Sequence, residues 1–180
     1  MKVLLPKLEK PFAVAVSGGV DSMALMNFCY EGRKKFHVVH FNHGTEKADK
    51  YEEFVVDWCR HLKIDVCIRY YCGEPKELYW ANWRNEIMQK WRDPVFTAHH
   101  ANDSLESYLM RGKKISYQNG NIYRPLIEAK KQDILDYAKR KDLEWIEDPT
   151  NKDNSIRRNK IRNVLIPQMV ECGIDPFNLM

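Results

Sequence analysis

Two short stretches of this chain bring together residue types that could do chemistry on an anion. Ser17-Gly18-Gly19-Val20-Asp21-Ser22 follows the apolar run from Phe12 to Val16 and leads into another apolar run at Met23. Paired glycines allow backbone conformations closed to other residues, so successive N–H groups can converge on one point, and a helix behind them adds its positive end. The loop therefore reads as an anion cradle, although a plain strand-to-helix turn with Ser22 as N-cap is the simpler alternative. No lysine follows the glycines as in a Walker loop, and the G-x-G-x-x-G dinucleotide spacing is absent. The second stretch, residues 97–112, places Asp103 and Glu106 three apart, on one helical face just past a strand. They suit site carboxylates, and equally helix N-terminal acids stabilised by the dipole.

A recurring rhythm positions these residues. β-Branched or aromatic runs at 12–16, 36–41, 64–71 and 94–98 each precede a polar-apolar helical run, starting near Ser22, Glu46, Glu77 and Asp103. The pattern predicts an α/β fold with a doubly wound, mostly parallel sheet and helices on both faces. Ligands in such sheets bind beyond the carboxyl ends of the strands, so residues 17–22, 42–46 and 98–103 are expected to line one crevice. After Arg111 the rhythm changes. Residues 115–126 read as a hairpin turning on Asn119-Gly120 in a type I′ turn, then come a helix from about Ala129 to Lys141 and a polar tail. This divides the chain into a nucleotide-binding domain, 1–111, and a small hairpin and helical extension, 112–180, beside the sheet.

Composition sets bounds. At 180 residues the chain can bury roughly 70% of its unfolded surface. Its 29 Lys and Arg against 25 Asp and Glu give +4, a mild hint of a polyanionic partner. Five cysteines without a Cys-x-x-Cys pair argue against a disulfide framework or a four-thiolate zinc site and fit a reducing compartment. Neither a signal-like segment nor an 18-residue apolar run is found, so a cytoplasmic protein without a membrane partner is expected.

The string SGGVDS after an apolar strand is similar to the signature of the pyrophosphatase-loop ATPases, which cleave ATP between the α and β phosphates. Beyond it the chain resembles the tRNA(Ile)-lysidine synthetase family. The family's HHxxDxxET box looks like residues 99–107, with Asp103 and Glu106, and its RPLL looks like Arg124-Pro125-Leu126-Ile127. Its W-x-E-D-x-[ST]-N…R-N-x-[IL]-R string is matched by Trp145, Glu147, Asp148, Thr150, Asn151, Arg158, Asn159 and Arg162, and its H-x-N-H-G by residues 40–44. These motifs arrive in family order from about Phe12 to Pro167. The departures are Asn102 for a common Asp, Ser107 for a Thr, and Ala81 where the first arginine of A-R-x-x-R-Y would fall, leaving Arg84. Many members also continue into carboxyl-terminal domains that grip tRNA, whereas this sequence stops at Met180.

The resemblance implies ATP and Mg²⁺ as cofactors, and tRNA(Ile) with a CAU anticodon and free lysine as partners. Lysine would be joined to C2 of the wobble cytidine through an adenylated intermediate, releasing AMP and pyrophosphate. Ser17, Gly18, Gly19 and Ser22 would cradle pyrophosphate, with His43 also at the nucleotide. Asp21 repels bare phosphates, so it makes sense with Mg²⁺ between, held by Asp21 and Asp103. Asp21, Asp103, Glu106 and Arg84 would be catalytic, Arg84 meeting developing negative charge. Arg124, Glu147, Asp148, Asn151, Arg158, Asn159 and Arg162 would meet tRNA or lysine, although residues 147–151 also read as a capped turn. Residues 152–162 carry five cations against Asp153, an RNA-facing run or a solvated face. A homodimer could span one tRNA. The rivals are another pyrophosphatase-loop tRNA-modifying ATPase and a non-catalytic RNA- or nucleotide-binding module.

Overall fold

The computed structural model describes residues 1–74 and 76–180. Six strands form one sheet in the order β3-β2-β1-β4-β6-β5. The strands are β1 (Phe12–Ala15), β2 (Phe36–Asn42), β3 (Val66–Tyr70), β4 (Val95–Phe96), β5 (Gln118–Asn119) and β6 (Ile122–Tyr123). β1 runs parallel to β2 and β4, and β2 to β3. The helices are α1 (Val20–Glu31), α2 (Glu46–Leu62), α3 (Glu77–Gln89), α4 (Ala101–Arg111), α5 (Lys131–Arg140), α6 (Arg157–Lys160) and α7 (Ile166–Glu171). Among the described residues no helix is long and apolar enough to cross a membrane.

Alternation along β1 divides the core between the two faces of the sheet. Phe12, Val14 and Val16 pack with α1, α2 and α5 residues, and the Phe12 ring stacks on Phe96 with centroids 4.1 Å apart. Ala13 faces the other way, with Val39, Val95, Ile122 and Met88 of α3. α1 is buried along nearly its whole length, which its all-round apolar sequence requires, because the sheet covers one side and α5 packs on another.

Two features depart from the sequence reading. The hairpin is not beside the sheet: β6 pairs in parallel with β4 and so extends it. Its turn is also one residue later. Asn119 pairs with Ile122, which leaves Gly120 and Asn121 as the turn, and only Gly120 has a positive φ (57°), so the turn is not type I′. The cause is Asn121, whose side-chain amide donates to the carbonyls of Met88 (3.1 Å), Trp91 (2.9 Å) and Asp93 (2.9 Å). The close of α3 thus sets the hairpin register. The polar tail carries the short helices α6 and α7, joined by a π-turn at Ile161–Leu165.

Candidate active site

The cradle begins where β1 ends. Gly18 has φ +87°, a left-handed conformation that favours glycine, whereas a Cβ there would make only ordinary contact with the Tyr51 ring at 3.4 Å. Gly19, not Ser22, caps α1: it is extended, while Ser22 Oγ lies inside the first turn and donates to the Gly19 carbonyl at 2.9 Å. Ser22 Oγ also accepts from the Ser17 amide at 3.1 Å, which closes the loop on itself. The first-turn amides of α1 have no carbonyl partner within the helix and remain as donors for an anion.

A cavity of about 230 Å³ opens at this loop, lined by Ser17, Gly19, Asp21, Ser22, His99, Asp103 and Arg158 among others. Asp103 reaches it from α4, where its Oδ2 accepts from the His100 amide at 2.9 Å. The buried His100 ring stands between the two acids, with Nε2 3.7 Å from Asp21 and 3.5 Å from Asp103. Despite the cost of burial, hydrogen bonding from His100 and the charge of Lys131 hold the Asp21 carboxyl below its ordinary pKa.

Glu106 does not reach the cavity. Its side chain is 1% exposed and is held by Arg158 Nε at 2.5 Å and by Arg162 through two bonds of 2.6 and 3.0 Å. Arg158 Nη2 also meets Asp103 at 2.5 Å. A carboxylate taken out of water needs such compensation. Glu106 therefore presents two arginines, one helical turn apart, rather than acting on a ligand itself. Burial alone would lower the pKa of Arg162, but its pairing with Glu106 raises it.

A second cavity, about 480 Å³, lies on the other side of Asp21 and is lined by Lys131, Trp145, Glu147, Asp148, Asn151 and Arg162 among others. Asp21 is common to both cavities. The segment carrying Glu147 is fastened to the cradle, since the Ile146 amide donates to the Gly18 carbonyl at 2.9 Å. Asp148 is bound to Lys47 Nζ at 2.6 Å and accepts from Thr150, contacts that keep its pKa low despite burial. Among the described residues Glu147 makes no such contact, and it is exposed.

A third cavity, about 260 Å³, shares Ala15, Ser17 and His99 with the first and is walled by Phe41, His43, Arg84 and Met88. Arg84 Nη1 lies 2.7 Å from His43 Nε2, and the His43 ring stacks on Trp80. Burial, with the Arg84 charge, pushes His43 down to about 4; burial also pushes His99 to about 4. Both rings are neutral near pH 7 and suit an uncharged ring system more than an anion.

The structure thus gathers Ser17, Gly18, Gly19, Asp21, Ser22, His43, Arg84, Asp103, Glu147, Asp148, Asn151, Arg158 and Arg162 around three adjoining cavities. Asn159 is elsewhere: it is buried and donates to the carbonyls of Thr150 (2.7 Å) and Asp153 (2.9 Å), so it braces the fold. Arg124 lines none of the three and donates to the Ser116 carbonyl at 2.9 Å. Lys131 is a functional candidate that the sequence reading missed. Its ammonium binds both Asp21 oxygens, at 2.7 and 2.8 Å, across a separation of 110 residues that no local motif reveals. Its backbone is placed by Asn102, whose side chain accepts from the Lys131 amide at 2.9 Å.

Comparison with known proteins agrees with this geometry. Residues 1–169 match the PP-loop domain family. The tRNA(Ile)-lysidine synthase of Exiguobacterium sibiricum is 33% identical over 190 residues, covering 94% of this chain and 45% of the relative. That of Staphylococcus aureus is 32% identical, covering 91% and 45%, and that of Neisseria gonorrhoeae 32%, covering 89% and 41%. The chain thus spans less than half the length of these relatives. Among solved structures, the NH3-dependent NAD synthetase from Campylobacter jejuni superposes with a TM-score of 0.55 at 14% identity, over 94% of this chain and 81% of that one. A glutamine-dependent NAD+ synthetase from Acinetobacter baumannii gives 0.52 at 15% identity, over 72% and 28%. These two likenesses concern the fold.

Proposed function

The chain belongs to the PP-loop domain family and is homologous to the tRNA(Ile)-lysidine synthases, and from that premise we propose that it joins free lysine to C2 of the wobble cytidine of tRNA(Ile) bearing CAU. The observation that carries the reading is the position of Asp21 on the wall between two cavities, one beside the anion loop and one beside the exposed carboxylate of Glu147. The first transfer needs the attacking cytosine O2 and the departing pyrophosphate on opposite sides of the α-phosphorus, and the second needs lysine within reach of C2 of the same base.

In the first step the O2 atom of cytosine attacks the α-phosphorus of ATP and the bond to the β-phosphate oxygen breaks, releasing pyrophosphate. In the second, the ε-amino nitrogen of lysine attacks C2, the C2–O bond breaks with AMP leaving, and the amine gives up a proton. Such displacements depend on in-line geometry and charge neutralisation. The loop amides, Ser17 and Ser22 hold the departing pyrophosphate. Arg158, fixed by Asp103 and Glu106, faces the same cavity with its charge. The cavity of Phe41, Met88, His43 and Arg84 takes the adenine and ribose. Glu147 binds the ammonium of lysine before its proton is lost.

Mg²⁺ fits the donor set: Asp21 and Asp103 are hard oxygen ligands on one cavity, and a magnesium ion takes one or two carboxylates with phosphate oxygens and water. Bound there it would neutralise triphosphate charge. We extend the reading to a cytoplasmic protein that, as a homodimer, could span one tRNA.

The test is incubation with ATP, Mg²⁺, labelled lysine and tRNA(Ile) bearing CAU. Label in RNA together with AMP and pyrophosphate supports the reading. AMP without lysine transfer selects another pyrophosphatase-loop ATPase, and RNA binding with neither selects a non-catalytic module.

A further inference from the structure

The anion loop lacks the lysine that a Walker loop carries in sequence, and its one charged side chain, Asp21, has the wrong sign for phosphate. The fold delivers a lysine to the same place from a distance. Lys131, the first residue of α5, sets its ammonium against both oxygens of Asp21. Its side chain is 35% exposed and it lines the second cavity, so the ammonium is paired but within reach of a ligand. Two anchors hold its backbone near: the bond from its amide to Asn102 at the start of α4, and the packing of α5 on α1 behind the loop.

We propose that Lys131 is the phosphate-binding cation of this loop, stored on Asp21 and transferred to the pyrophosphate portion of the nucleotide when that arrives. A triphosphate approaching an unpaired Asp21 would meet like charge. With Lys131 in place it meets a neutral pair, and the four-carbon stem lets the ammonium turn from carboxylate to phosphate without moving the helix. Asp21 in turn becomes available to a divalent cation, so the same exchange prepares both ends of the contact. The proposal rests on the reading of Ser17–Ser22 as a phosphate cradle, and it is independent of lysine transfer to RNA.

The test measures binding of inorganic pyrophosphate and of adenosine by calorimetry, in chelator and without metal, so lysidine formation is not read at all. Lys131→Met is expected to weaken pyrophosphate binding ~10- to 100-fold, the range for loss of one charge-assisted hydrogen bond. Adenosine binding should be unchanged, and Lys131→Arg should keep most of the pyrophosphate affinity. Asp21→Asn frees the ammonium and is expected to tighten metal-free pyrophosphate binding, a gain that disappears in the double variant with Lys131→Met. Unchanged pyrophosphate binding in Lys131→Met, a gain that survives in the double variant, or equal losses for both ligands would each overturn the proposal.

Discussion

The backbone amide of Ile146 is bonded to the carbonyl of Gly18, so the strand of chain that carries Glu147 and Asp148 hangs from the turn that forms the anion loop. The two neighbouring carboxylates on that segment have different surroundings. Asp148 is engaged by Lys47 and Thr150, whereas Glu147, exposed on the second cavity, has no ion-pair partner among the described residues. Glu147→Gln is expected to raise the KM for lysine about tenfold with little change in kcat, as for loss of a contact to a charged group. Asp148→Asn should leave it nearly unchanged. Steady-state kinetics with lysine varied decides this, and an unaltered KM in Glu147→Gln removes that residue from the amine site.

Asp103 combines the cavity wall with the anchoring of Arg158. Asp103→Ala is expected to slow lysidine formation roughly 10²- to 10³-fold, by analogy with loss of one preorganised electrostatic group. Full turnover measured in single-turnover assays would place the acid outside the chemistry.

Glu106→Gln removes the charge that holds two guanidinium groups against the core. The arginines are partly exposed, so the loss falls below that of a fully buried pair, at about 2–4 kcal/mol of stability. Urea unfolding measures it. An unshifted midpoint would mean that the arginines find solvent without cost.

Of the five cations in residues 152–162, Arg158 and Arg162 are held by internal carboxylates. Lys152, Arg157 and Lys160 are exposed. If these meet phosphates, log affinity for tRNA should fall with log salt at a slope of about −2 to −3. Replacing all three with Ala should flatten the dependence, and a slope near zero in the unaltered protein would rule out this face.

Acid should act on the histidines before the carboxylates. His43 and His99 are pushed by burial down to about 4, against an ordinary 6.5. Between those values the unfolded chain binds more protons than the folded one, so stability is full above pH 6.5 and falls as pH drops toward 4. Asp21 and Asp148, whose pKa values lie below 3.8, add their own loss only below that value. Thermal melts from pH 7 to 4 should show this decline, and His43→Gln should reduce it; a flat profile across that range would contradict the burial of both rings.

The loop and its flanking strand and helix could be read from sequence because the signals are local: an apolar run, two glycines, another apolar run. The strand-helix rhythm was legible for the same reason, and it gave the mostly parallel sheet. What escaped was set by contacts far along the chain. Asn121 fixed the hairpin register through three carbonyls near the end of α3, and a six-residue-scale pattern around Asn119-Gly120 could not reveal that. The pairing of Lys131 with Asp21, and of Arg158 and Arg162 with Glu106, likewise joins residues with no pattern between them. Asn159 stood in a motif shared with Arg158 and so looked like a ligand contact, yet its amide serves two backbone carbonyls.

Because Gly18 depends on Ile146 and Asp103 on Arg158, the loop and its acidic wall are each completed by residues that come much later in the chain. On the ribosome, every strand of the sheet will have emerged before either of those late partners does. A nascent chain halted in that interval would own a formed scaffold and an unfinished grip.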